Sequence, residues 1–146
     1  MRDEPRRWLS RDEAATERIG EILGRELAPD GTALLEGDLG TGKTVLVRGI
    51  ARALGVDRRE IQSPTYTLIH EHEGHSGRLV HVDLYRLEPE ELDSLGLDEL
   101  LAGPGVKAIE WAERLVGGAA GGWRVRIRRT ADGGREILLE DEDGCQ

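Results

Sequence analysis

Eight consecutive residues, Gly37-Asp38-Leu39-Gly40-Thr41-Gly42-Lys43-Thr44, satisfy the spacing G-x-x-x-x-G-K-[ST]. Glycines at these places let main-chain N–H groups turn inward as a cradle for a phosphate. The lysine brings a compact positive charge to β- and γ-oxygens, and the threonine hydroxyl suits Mg²⁺. The expected chemistry is the grip of a nucleoside triphosphate, with Asp38, Leu39, Gly40, Thr41, Gly42, Lys43 and Thr44 as binding residues. Lys43 is one of only two lysines in a chain with eighteen arginines, which makes its place in the motif more specific. No N-K-x-D guanine motif is present, and the D-x-x-G at Asp93–Gly96 follows an acidic stretch rather than a strand. ATP is therefore expected rather than GTP.

A phosphate loop of this kind also needs a carboxylate at a strand end to hold or orient the metal. Two candidates exist: Asp83 after the apolar run Leu79–Val82, and Glu110 after Val106–Ile109. Both strand ends belong on the side of the sheet where the loop opens. Spacing alone leaves open which acid does which task. Ser63-Pro64-Thr65 lies where many such proteins carry a γ-phosphate-sensing segment, and an ordinary proline turn fits the same residues.

These groups must be carried by strands and helices. Ser10-Arg11-Asp12-Glu13 reads as a capping box with the Ser10 hydroxyl at the cap, followed by Ala15, Ile19, Ile22, Leu23 and Leu27 at helical spacing up to Pro29-Asp30-Gly31. Thr32–Glu36 is a short apolar strand. Val45, Leu46, Ile50, Ala51 and Leu54 trace a second helix closed by Gly55. Thr65–His72, Arg78–Tyr85 and Val106–Trp111 read as strands, and the acidic stretch from Glu88 to Leu100 as one or two short helices. Gly117–Gly122 is a connector. Trp123–Arg129 and Arg135–Glu140 alternate by two around Asp132-Gly133-Gly134, which predicts a C-terminal hairpin. The fold class expected is α/β: a phosphate-loop NTPase-like sandwich with a mainly parallel central sheet and antiparallel additions, forming one domain over residues 1–146.

Composition bounds the rest. At 146 residues, 38% hydrophobic and 34% charged, the chain suits a soluble globular domain. Its net charge of −9 argues against a broad basic surface for RNA or DNA. No apolar run approaches the roughly 18 residues that span a bilayer. MRDEPRRWLSRDE lacks the apolar core of a secretion signal, and Cys145 has no partner, so a cytoplasmic protein is expected.

The strings LEGDLGTGKTVLVRGIARALG, SPTYTLIHEHEG, LVHVDLYRLEPEELDSLGLDEL and AIEWAERL, in that order from about Ser10 to Leu115, resemble the TsaE family, formerly called YjeE. The resemblance implies the ATPase of tRNA N6-threonylcarbamoyladenosine synthesis, working with TsaB and TsaD, with ATP and Mg²⁺ as ligands. It further implies Thr44 and Glu110 as Mg²⁺ ligands, Asp83 as the second metal-site acid, and Ser63 and Thr65 as the first switch. By the same resemblance Trp111 lies near the nucleotide, and Glu13, Glu113 and Arg135 approach it. Lys43, Asp83 and Glu110 then form the catalytic set. Hydrolysis is expected to be slow alone, since the sequence assigns no arginine finger; Arg86 is a candidate.

Two rival functions fit a phosphate loop: a small-molecule or nucleoside kinase, which needs an acceptor pocket and a lid, and a nucleotide-binding scaffold without relevant hydrolysis. Two further clusters stand apart. His70, His72 and His75 form H-x-H-x-x-H without a cysteine, more in keeping with an exposed hairpin than a metal site. Arg124, Arg126 and Arg128 share one strand face, either as a solvated face that discourages edge pairing or as a docking patch.

Overall fold

Thr32–Glu36 (β2) is apolar on both faces, and a strand of that composition is stable only where both faces are covered. In the computed structural model, which describes residues 6–38, 40–61, 69–85, 96–112 and 122–141, β2 occupies the middle of a seven-stranded sheet. The other strands are β1 (Arg6–Ser10), β3 (Ile69–Glu73), β4 (Arg78–Asp83), β5 (Val106–Glu110), β6 (Trp123–Arg129) and β7 (Arg135–Asp141), in the order β1-β7-β6-β2-β5-β4-β3. The four inner strands β6, β2, β5 and β4 are parallel; β1 with β7, β6 with β7, and β3 with β4 are antiparallel. This is the expected mixed sheet with its C-terminal hairpin.

Alternation divides the core in two. Ala33, Leu35, Leu79, Val106, Ala108, Val125 and Ile127 face α1 (Glu13–Leu27) and α2 (Lys43–Ala53), meeting Ile19, Leu23, Leu46, Val47 and Ile50. Leu34, Val80, Val82 and Ile109 face the other way, toward Leu100 and Leu101 of the short α3 (Leu97–Ala102). Both sets are buried at about 25 cal/mol per Å² of apolar surface, enough to set strand register. Among the described residues no helix is long and apolar enough to cross a membrane.

The two long helices touch at glycines. A Cβ on Gly20 would lie 2.2 Å from the Leu46 carbonyl oxygen, and one on Gly49 would lie 2.0 Å from that of Glu17. Beside this crossing the buried Glu17 carboxylate receives Arg58 Nε at 2.7 Å, Arg58 Nη2 at 2.8 Å and Arg52 Nη1 at 3.4 Å. The Arg58 guanidinium, before any other neighbour, holds Glu17 below the usual carboxylate range. The buried Lys107 donates through Nζ to the Asp30 carbonyl at 3.2 Å and to that of Gly103, joining the start of β5 to two turns; burial pushes its pKa down.

Three expectations change. The cap of α1 is Asp12, whose Oδ1 accepts from Ala15 N–H at 2.8 Å; Ser10 instead ends β1, a strand without a clear sequence signal, and its Oγ lies 2.7 Å from Thr16 Oγ1. Ser10 is committed to the ladder opposite Arg135, which moves the cap two residues on. The strands ending at Asp83 and Glu110 are shorter than expected, and Tyr85 and Trp111 lie beyond them. Of the acidic stretch after Glu88, only Leu97–Ala102 falls among the described residues as a helix. Arg124, Arg126 and Arg128 lie on the outer sheet face, pairing with Glu36 at 3.0 and 3.3 Å and Glu136 at 2.5 Å, respectively.

Replacing Gly49 by Ala should cost at least ~2 kcal/mol in urea unfolding despite alanine's better helix propensity, because the new methyl meets backbone rather than a movable side chain. An unchanged midpoint would refute the close crossing.

Candidate nucleotide-binding site

The motif leaves the end of β2 and enters α2. Gly40 and Gly42 have φ of 78° and 111°, in the left-handed region, and Gly42 is the residue that caps α2. Turning the chain there aims the positive end of the α2 dipole at the space over the loop. The Asp38 carbonyl accepts from Thr41 N–H at 3.2 Å and Thr41 Oγ1 at 2.8 Å, which closes the loop on itself. Asp38 itself is exposed.

Lys43 is buried, 5% exposed, and donates to the Asp38 carbonyl at 3.1 Å and to the Gly37 carbonyl. Its Nζ also lies 3.8 Å from the centroid of the Trp111 ring, which in turn packs against Tyr85 at 4.7 Å with the rings tilted by 38°. Face-on contact of this kind adds about 1 kcal/mol for a partly desolvated cation. Trp111 reaches it with φ of 63°, a left-handed backbone that costs a bulky residue about 1–3 kcal/mol. That strain is the price of turning the chain sharply off β5 so the ring covers the lysine.

Thr44 Oγ1, in the first turn of α2, lies 3.0 and 3.2 Å from the two Glu110 oxygens. Asp83 is the register partner of Glu110 across β4 and β5, so both acids end adjacent parallel strands at the same level. Asp83 is buried and accepts from Tyr85 N–H at 2.9 Å. Desolvation raises its pKa above the ordinary 3.8, with the Glu110 charge adding to the rise; the Tyr85 N–H, His81 and Lys43 oppose it. A threonine hydroxyl and two carboxylates form the hard oxygen set that Mg²⁺ prefers, so the residues present fit that ion.

Arg135 lies on the opposite flank of the loop, its Nε donating to the Thr41 carbonyl at 2.8 Å. Glu13, Thr16, Thr41, Gly42, Gly133 and Arg135 line a cavity of about 160 Å³ there, so Glu13 and Arg135 come together beside the loop. Leu39, Ser63, Thr65, Arg86 and Glu113 lie outside the described residues. His70 packs edge-on to His72, 6.1 Å between centroids, and His72 approaches Glu60 at 3.5 Å, on strand β3 away from the loop.

One residue of the site was missed. His81, two residues before Asp83 on the same face of β4, is fully buried with Nε2 2.6 Å from Glu110 Oε2. Alternation along LVHVD places His81 and Asp83 together, and that pattern was the available signal.

Comparison with known proteins shows the family and the fold. The family model described as "Threonylcarbamoyl adenosine biosynthesis protein TsaE" matches residues 10–137. Proteins named tRNA threonylcarbamoyladenosine biosynthesis protein TsaE are similar to the chain at 46% identity in Nostoc sp., 38% in Bacillus subtilis and 41% in Treponema pallidum. These alignments cover 71%, 91% and 91% of this chain, and 66%, 84% and 98% of the relatives. The crystal structure of YdiB from B. subtilis superposes with a TM-score of 0.80 at 29% identity, covering 97% of this chain and 88% of that one.

The raised pKa of Asp83 has a consequence for stability. Folding favours its protonated form, so its charge weakens the fold as pH rises above the ordinary aspartate value. With metal and nucleotide removed, Asp83→Asn should be more stable than the parent at pH 7, and the gap should close below pH 3.8. Thermal unfolding across that range checks it; a less stable Asn variant at pH 7 would contradict the sign.

Proposed function

Because the chain belongs to the TsaE family of threonylcarbamoyl adenosine biosynthesis proteins, we propose that it binds ATP with Mg²⁺ in the Gly37–Thr44 loop and hydrolyses it in support of tRNA threonylcarbamoyladenosine formation. The observation that carries this reading is the convergence of Thr44 and Glu110 at 3.0 and 3.2 Å beside a buried lysine. A purely structural turn has no use for a buried cation and two buried acids brought together.

Lys43 now satisfies its charge on the carbonyls of Gly37 and Asp38, and triphosphate oxygens replace or share those partners on binding. The loop amides and the α2 dipole add fixed positive potential without reorganising. Thr44, Glu110 and Asp83 would hold Mg²⁺, which supplies neutralisation of charge on the β- and γ-oxygens. Trp111 and Tyr85 wall one side of the lysine, excluding water from a transfer that needs positioning and charge more than covalent help. On the other flank Glu13 and Arg135 border a cavity for the rest of the nucleotide. TsaB and TsaD are the proposed partners, with TsaD performing the transfer to tRNA and this chain setting or resetting their complex.

Lys43→Ala should lower ATP turnover at least ~100-fold, the effect of removing one preorganised charge donor. Free phosphate release is to be measured alone and with TsaB and TsaD, alongside the amount of modified tRNA. Unchanged turnover in that variant, or labelled γ-phosphate on a metabolite instead of free phosphate, would overturn the reading.

A further inference from the structure

Every other buried position of β4 before Asp83 carries leucine or valine: Leu79, Val80 and Val82. His81 breaks that run although its side chain is 0% exposed, and a leucine would serve packing alone. Its Nε2 lies 2.6 Å from Glu110 Oε2, while Nδ1 finds no hydrogen-bond partner among the described residues. An ionised carboxylate only accepts, so Nε2 carries the proton and donates.

Glu110 Oε2 thus takes two donors, the imidazole at 2.6 Å and Thr44 Oγ1 at 3.0 Å, while Oε1 is 3.2 Å from the same hydroxyl. Rotation of the carboxylate about its last bond would break the short imidazole bond in a space with no water-exposed substitute. The parallel register supports this arrangement: His81 lies opposite Ala108, whose small side chain leaves room for the ring to reach along β5 to Glu110.

We propose that His81 is a positioning residue which orients the Glu110 carboxylate, and through it the divalent-metal site shared with Thr44. The inference rests on the reading of Glu110 as a metal-binding acid. Groups that hold a metal-binding carboxylate in place commonly change metal affinity 10–100-fold when removed. The side chain acts through Glu110 and touches neither nucleotide nor metal.

The test uses the full chain and Mn²⁺ as the probe. Mn²⁺ affinity of the ADP complex is measured by electron paramagnetic resonance, and ADP affinity in EDTA by calorimetry, for the parent, His81→Leu and His81→Gln. His81→Leu should weaken Mn²⁺ about 10–100-fold and leave ADP binding in EDTA within about twofold. His81→Gln, whose amide N–H can reach the same carboxylate oxygen, should recover Mn²⁺ affinity to within about threefold of the parent, and it keeps the test open if the leucine variant does not fold. Unchanged Mn²⁺ affinity in His81→Leu, an equal loss in both variants, or an equal loss of metal-free ADP binding would overturn the proposal. A parent that binds ADP in EDTA but shows no Mn²⁺ site would instead overturn the assignment of Glu110, and His81's role with it.

Discussion

The contact between the Thr44 hydroxyl and the Glu110 carboxylate imposes the main constraint on this molecule. The two residues are far apart in the chain, one opening α2 and the other ending β5, and they must meet within about 3 Å. Strand β2 makes this possible: it delivers the loop directly into α2 and lies beside β5 with Leu35 opposite Glu110. A shift of one residue between β2 and β5 would turn the carboxylate to the opposite face. The helix end has to be held as firmly as the strand end, and the glycine crossing of α1 on α2 supplies that by fixing backbone against backbone. Glu17, bound by Arg58 and Arg52, locks the same crossing with charge at its edge.

Electrostatics at the site are arranged in opposition. Lys43 is enclosed among carbonyls and an aromatic face, while Asp83 and Glu110 sit at the same level of neighbouring strands with repelling charges. Burial and Glu110 push Asp83 toward its protonated form, and the lysine and one backbone amide restrain it. The fold therefore carries a local cost in this corner that an apolar core would not have, in the manner of sites whose charges await a ligand. The left-handed backbone at Trp111 is part of the same cost, because it turns the chain so that the ring lies over the lysine.

The sequence made the inner strands and the two long helices legible because their patterns are local: apolar runs bounded by glycine, and leucines and isoleucines at helical spacing. The Gly37–Thr44 loop was legible because its glycines answer to main-chain geometry, while its lysine and threonine stand at the spacing of a recognisable pattern. The strand RRWLS was not, since its partner lies about 130 residues away and its alternation is short and charged. Asp12 displaced Ser10 as the helix cap for the same reason: a distant ladder had already claimed Ser10. His81 looked like one histidine among four; only its neighbour on the adjacent strand gives it a task. Trp111 was identified by resemblance, but its backbone conformation and its place over Lys43 depend on tertiary packing.

Both lysines of the chain are enclosed, Lys43 under the phosphate loop at 5% exposure and Lys107 behind the turns at Asp30 and Gly103 at 1%. The cationic side chains left for the surface are thus guanidinium groups rather than lysine amines. Enzymes and reagents that acylate amines meet almost nothing to react with on the folded exterior beyond the terminal amine. Acylation of either lysine in the folded protein would therefore report the opening of its enclosure.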